Sequence, residues 1–168
     1  MIKGMLAILL VCVIVLVIGL TPGVVLAATK KKYKPNWRFM ALAVGNYESG
    51  YGKWLEGDEG RAVGFMHIRH EMVNEVNRIL AQAPTCKLRY TYMDRLDREK
   101  SIEMFCIYMQ YWCERNPQVK NARKLEQFHK TAIPMWNCGP LVNVYRNKKA
   151  QEYWRRVKLV MQNMEHDD

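Results

Sequence analysis

Glu48 sits where the sequence could do chemistry. Trp37, Ala41, Val44 and Glu48 lie at spacings of four, seven and eleven, which puts all four on one face of a helix. Three are apolar, so the carboxyl extends an inward-facing stripe. It also falls in the last turn, just before Ser49-Gly50, where the negative end of the helix dipole disfavours added negative charge. Both effects raise a carboxyl pKa. A glutamic acid that stays protonated near neutral pH can protonate the leaving oxygen of a glycosidic bond.

Three further clusters follow in order. Glu48-Ser49-Gly50 is succeeded by Gly64-Phe65-Met66-His67-Ile68, and near the C-terminus by Trp136-Asn137-Cys138-Gly139-Pro140. Between them, Asp97-Arg98-Glu99-Lys100-Ser101-Ile102 leads to Tyr108. Together these resemble the signature motifs of the lytic transglycosylase family, which read Glu-Ser, Gly-Leu-Met-Gln-Ile, Asp-Pro-x-x-Asn-Ile and Tyr-Asn-x-Gly-Pro. The resemblance runs from about Trp37 to Val157. It implies a mainly α, goose-lysozyme-like single domain with Glu48 as the one catalytic acid and base. By the same resemblance Ser49 settles the first helix and holds substrate or the carboxylate. Met66 and His67 line the cleft beneath the sugars, Tyr108 reaches toward Glu48, and Trp136 and Asn137 close the other wall. Two departures stand out. His67 replaces the family's Gln and adds a titratable group; Trp136 replaces its Tyr and loses a hydroxyl.

The reaction implied is cleavage of the bond between N-acetylmuramic acid and N-acetylglucosamine in peptidoglycan. Glu48 protonates the linking oxygen, then removes the muramyl C6 hydroxyl proton as a 1,6-anhydro ring closes. A lysozyme would instead engage water, usually through a second carboxylate; Glu56, Asp58 and Glu59 follow Glu48 closely enough to be candidates. A non-catalytic wall-binding protein of the same fold is the remaining alternative. No cofactor is implied.

The elements that must position these residues can be read from periodicity and breakers. A first helix is expected over about Asn36–Ser49, then a Gly-rich loop with a possible small hairpin between Lys53 and Ile68. A second helix covers about Glu71–Gln82, with Met72, Val76, Ile79 and Leu80 inward and Pro84 as its stop. A third covers about Arg98–Glu114 behind an Asp97 cap; its middle is apolar on nearly every side, so it should be the buried spine. Further helices are expected near Asn121–Trp136 and Ala150–Met164.

The 168 residues suit one domain with a real core. A net charge of +10, from 26 Lys+Arg against 16 Asp+Glu, attracts polyanions, among them an anionic cell envelope. Lys3, the apolar run from Met5 to Leu20, Thr21-Pro22-Gly23 and the small residues ending at Ala27-Ala28 make a signal-peptide pattern over 1–28. Cleavage after Ala27 is one outcome, and a membrane anchor retained through residues 5–28 is the other. Residues 29–36 read as a basic linker and 37–165 as the domain. An exported protein, periplasmic or envelope-associated, is therefore expected, acting as a monomer on peptidoglycan strands. Nucleic acid is not an expected partner, because no base-stacking or groove-reading motif accompanies the charge. Cys86, Cys106, Cys113 and Cys138 follow the leader, an even number in an oxidising compartment. Cys106 and Cys113 are about 10 Å apart along one helix, too far to bridge each other. A disulfide would link one of them to Cys86 or Cys138, and four small buried thiols are the other reading. The cysteine and histidine spacings suggest no metal site.

Overall fold

Asn36 starts the first element by accepting a hydrogen bond from the Phe39 amide through its side chain (3.0 Å), satisfying a donor that a helix start leaves free. The helix so capped, α1, runs Trp37–Glu48 and buries Met40, Ala41, Ala43, Val44 and Gly45. The computed structural model describes residues 35–166, so the leader and most of the linker lie outside the described residues. Among the described residues no helix is long and apolar enough to cross a membrane.

The chain then makes a two-stranded antiparallel hairpin, β1 Glu56–Gly57 paired with β2 Ala62–Val63. A short 3-10 turn over Asp58–Gly60 joins the strands. Helix α2 follows over His70–Leu80, burying Val73, Val76 and Ile79. After a 3-10 turn at Tyr92–Leu96 comes α3, Arg98–Cys113, capped by the Asp97 carboxylate on the Lys100 amide. It buries Ser101, Ile102, Met104, Phe105, Tyr108, Met109 and Cys113 and packs against α1 and α2. This is the expected spine, and the protein is mainly helical.

Near Asn121–Trp136, where a helix is expected, there are two, and a further short one precedes them. Helix α4 spans Pro117–Lys120, α5 Leu125–Ala132 and α6 Pro134–Cys138. Pro134 explains the last break: it has no amide hydrogen to donate and is tolerated only in a first turn, so it opens α6 rather than continuing α5. Helix α7, Lys148–His166, turns Ala150, Tyr153, Trp154, Val157 and Met161 inward and packs on both α1 and α6. The C-terminal ends of α1 and α6 and the N-terminal half of α7 are thereby gathered beside the hairpin.

Candidate functional site

The end of α1 is built by Ser49. Its hydroxyl donates to the Gly45 carbonyl (2.7 Å) and accepts from the Gly52 amide (2.9 Å), and the side chain is fully buried. Gly50, Tyr51 and Gly52 then all take positive φ, turning the chain sharply away. Glu48 is left at the last turn with its side chain only 14% exposed.

Four groups surround that carboxyl. The Tyr153 hydroxyl of α7 donates to Oε1 at 2.6 Å. His67 Nδ1 stands 3.8 Å from Oε2. Asn137, in α6, hydrogen-bonds the carboxyl, and Lys149, one turn before Tyr153 on α7, adds positive charge. Burial raises the Glu48 pKa above its ordinary value; the Tyr153 hydrogen bond, then His67, Asn137 and Lys149, pull the other way, and burial wins. Tyr153 is pushed well above the ordinary phenol value, by burial first and then by the Glu48 charge. It therefore keeps its proton and remains a donor.

His67 is aimed by the hairpin. It has φ +46, and its Nε2 lies 3.0 Å from the Trp54 carbonyl. A carbonyl only accepts, so Nε2 carries the hydrogen and Nδ1 of the neutral ring presents its lone pair toward Glu48. Gly57 makes the room: a Cβ there would come within 2.7 Å of His67 Nδ1.

Around the carboxyl opens a cleft of about 510 Å³. Asp58, His67 and Met72 line it, with Trp136, Asn137 and Lys149 opposite Glu48's neighbours on the hairpin side. Asp58 faces the same space, but its carboxylate is ion-paired to Arg69 and to Arg61. Glu71 also reaches the cleft, whereas Glu56 and Glu59 are exposed and outside its lining.

Of the residues singled out in the sequence, Glu48, His67, Trp136 and Asn137 come together at this cleft. Three are placed otherwise. Ser49 is buried and its hydroxyl is engaged by backbone groups, so it shapes the helix end and lies outside the cleft lining. Met66 is fully buried in the core and offers only its backbone, whose carbonyl accepts from Trp136 Nε1 (3.3 Å). Tyr108 is 3% exposed and packs edge-on to Trp136, ring centroids 5.7 Å apart; the phenol that meets Glu48 is Tyr153. Tyr153 and Lys149 went unassigned in the sequence. The signal for Tyr153 was its place in the buried stripe of α7, but that stripe cannot say which member meets a carboxylate.

The four cysteines after the leader are all free thiols, Cys113 buried and the others partly so. No pairing with Cys86 or Cys138 is formed. Compared with known proteins, the chain matches no family model, no curated protein and no solved structure.

Proposed function

We propose that this protein cleaves peptidoglycan glycan strands as a lytic transglycosylase with a lysozyme-like domain, using Glu48 as its single acid and base. The observation that carries the reading is a carboxyl group at the edge of a sugar-sized cleft whose protonation burial favours and whose Oε1 receives the Tyr153 hydroxyl. With Oε1 engaged as acceptor, the acid proton is carried on Oε2, the oxygen on the His67 side. Proton transfer to the oxygen linking N-acetylmuramic acid to N-acetylglucosamine breaks the glycosidic bond. The carboxylate left behind is held by hydrogen bonds from Tyr153 and Asn137, each worth roughly 1.5–3 kcal/mol to a charged acceptor, with the Lys149 charge adding at longer range. It next takes the proton of the muramyl C6 hydroxyl, whose oxygen closes on C1 to form the 1,6-anhydro ring. One group acts twice, so the proton balance closes on the enzyme without an activated water.

Trp136, 8% exposed, adds a small apolar patch to the cleft wall, and Asn137 beside it a polar group. The proposal extends to place: the leader pattern suits an exported enzyme of the cell envelope, where the basic surface meets an anionic wall.

Asp58 favours a second reading. It is a carboxylate on the same cleft, and a hydrolase would use it to orient water opposite Glu48. Its two guanidinium partners argue against it as a base, since each of its oxygens is already ion-paired. Product analysis on purified glycan strands tests the choice. Anhydro-muramyl ends are expected; reducing ends abolished by Asp58→Asn would establish the hydrolase, and intact strands would end the enzymatic reading.

A further inference from the structure

The C-terminal segment carries six cations, Arg146, Lys148, Lys149, Arg155, Arg156 and Lys158, and the fold sorts them into two sets. Arg155 and Arg156 both pair with Glu152, at 2.8 and 2.7 Å, and Lys158 pairs with Glu126 at 2.6 Å. Those three are ion-paired on the helix surface, two of them sharing one carboxylate. Among the described residues Arg146, Lys148 and Lys149 have no carboxylate within ion-pair distance. All three line a single open groove of about 810 Å³, between the end of α6 and the start of α7.

Two features set this groove apart from an ordinary basic surface. Lys149 lines both it and the Glu48 cleft, so the two spaces meet at that side chain. Lys148 and Lys149 also open α7, whose first turn contains no acidic residue. A helix start carries partial positive charge and favours acids, so helix stability works against lysines there. Between the cations lie the side-chain amides of Asn143 and Asn147, and Leu141, 75% exposed, forms an apolar edge. Cations, amides and an apolar edge in one open groove suit a peptide bearing carboxylates better than a bare sugar or a compact anion.

We propose that this groove binds the acidic peptide stem attached to the sugar whose bond is cut. The inference rests on the peptidoglycan reading above and deepens it: the glycan lies in the Glu48 cleft, and the stem leaves it past Lys149 with its free carboxylates against Arg146 and Lys148. Strands that still carry acidic stems are then the preferred substrate over stripped glycan.

The test uses the intact chain with Glu48→Gln, so that binding is read without cleavage. The probes are a stem-bearing glycan fragment, the same fragment stripped of peptide, the free stem peptide, its amidated form and inorganic polyphosphate. The stem-bearing fragment should bind about tenfold tighter than the stripped one, and amidation of the free peptide should remove most of its binding. Arg146→Gln/Lys148→Gln should lose roughly tenfold for the stem-bearing fragment, with stripped glycan unchanged. The charge-conserving Arg146→Lys/Lys148→Arg should retain binding, which separates lost charge from lost fold. Equal affinity for stripped and stem-bearing fragments, or polyphosphate competing as well as the acidic peptide, would overturn the proposal. If wild type cleaves both strands while the free peptide fails to bind, the groove falls and the enzymatic reading stands. If the free acidic peptide binds through Arg146 and Lys148 but no strand is cleaved, the groove stands and the reaction falls.

Discussion

Glu48 is held between burial, which favours its proton, and four polar neighbours, which favour its loss. Because its folded pKa is raised, its contribution to stability is full below its ordinary value of 4.5 and is lost as pH rises through the folded value. Glu48→Gln cannot titrate, so its Tm should gain on wild type between pH 4 and pH 8, while turnover falls about 10³-fold or more. Residual turnover of a tenth of wild type would remove Glu48 from the chemistry. Tyr153→Phe deletes the hydrogen bond that most strongly opposes protonation. The Glu48 pKa should rise further, moving the basic limb of the kcat/KM profile to higher pH, with a stability cost of about 1–3 kcal/mol for the unpartnered oxygen. His67→Gln replaces the imidazole 3.8 Å from Oε2, whose charge when protonated pulls the Glu48 pKa down, with an amide that carries none. The basic limb should again move to higher pH, whereas a histidine that only packs would move no limb. Glu48 was legible because its own helix displays it on an apolar face. Tyr153 was not, because it lies 105 residues away in sequence and only the packing of α7 on α1 brings them together.

At the level of elements, the readable parts were those whose signals are local. The Asp97 cap and continuous apolar middle announced α3, and Trp37, Ala41, Val44 and Glu48 announced α1. The stretch near Asn121–Trp136 breaks at Ile133, because Pro134 has no amide hydrogen to continue α5 and opens α6 instead. Ser49 misled because a polar side chain beside the acid invites a role in binding, yet both its hydrogen bonds go to backbone. Ser49→Ala should therefore cost about 1–2 kcal/mol of stability and leave KM for glycan unchanged, a split that thermal unfolding and steady-state kinetics would expose. Gly64 holds the hairpin to the turn before α3. Its φ is +77, and a Cβ would fall 1.9 Å from the Arg95 carbonyl oxygen. Gly64→Ala should cost about 2–4 kcal/mol and lower Tm, with turnover per folded molecule falling as well, because the same hairpin aims His67.

For the whole molecule, the thiols decide how the fold is held together. Four cysteines in a chain whose sequence is expected to direct export invite a disulfide framework, yet a domain with a continuous core from α1 through α7 does not need one. Burial disfavours the thiolate at three of the four: it pushes Cys113 up to about 12 and raises Cys106 and Cys138 as well. Only a thiolate attacks a disulfide or an oxidant at a useful rate, so those three resist oxidation. A native disulfide would contribute about 2–4 kcal/mol, and its reduction would lower Tm by on the order of 5 °C. Purified under oxidising conditions, the protein should instead unfold at the same temperature with and without reductant, to within about 1 °C on that scale. A reductant-dependent fall of several degrees would mean that two of the four cysteines pair in the native protein.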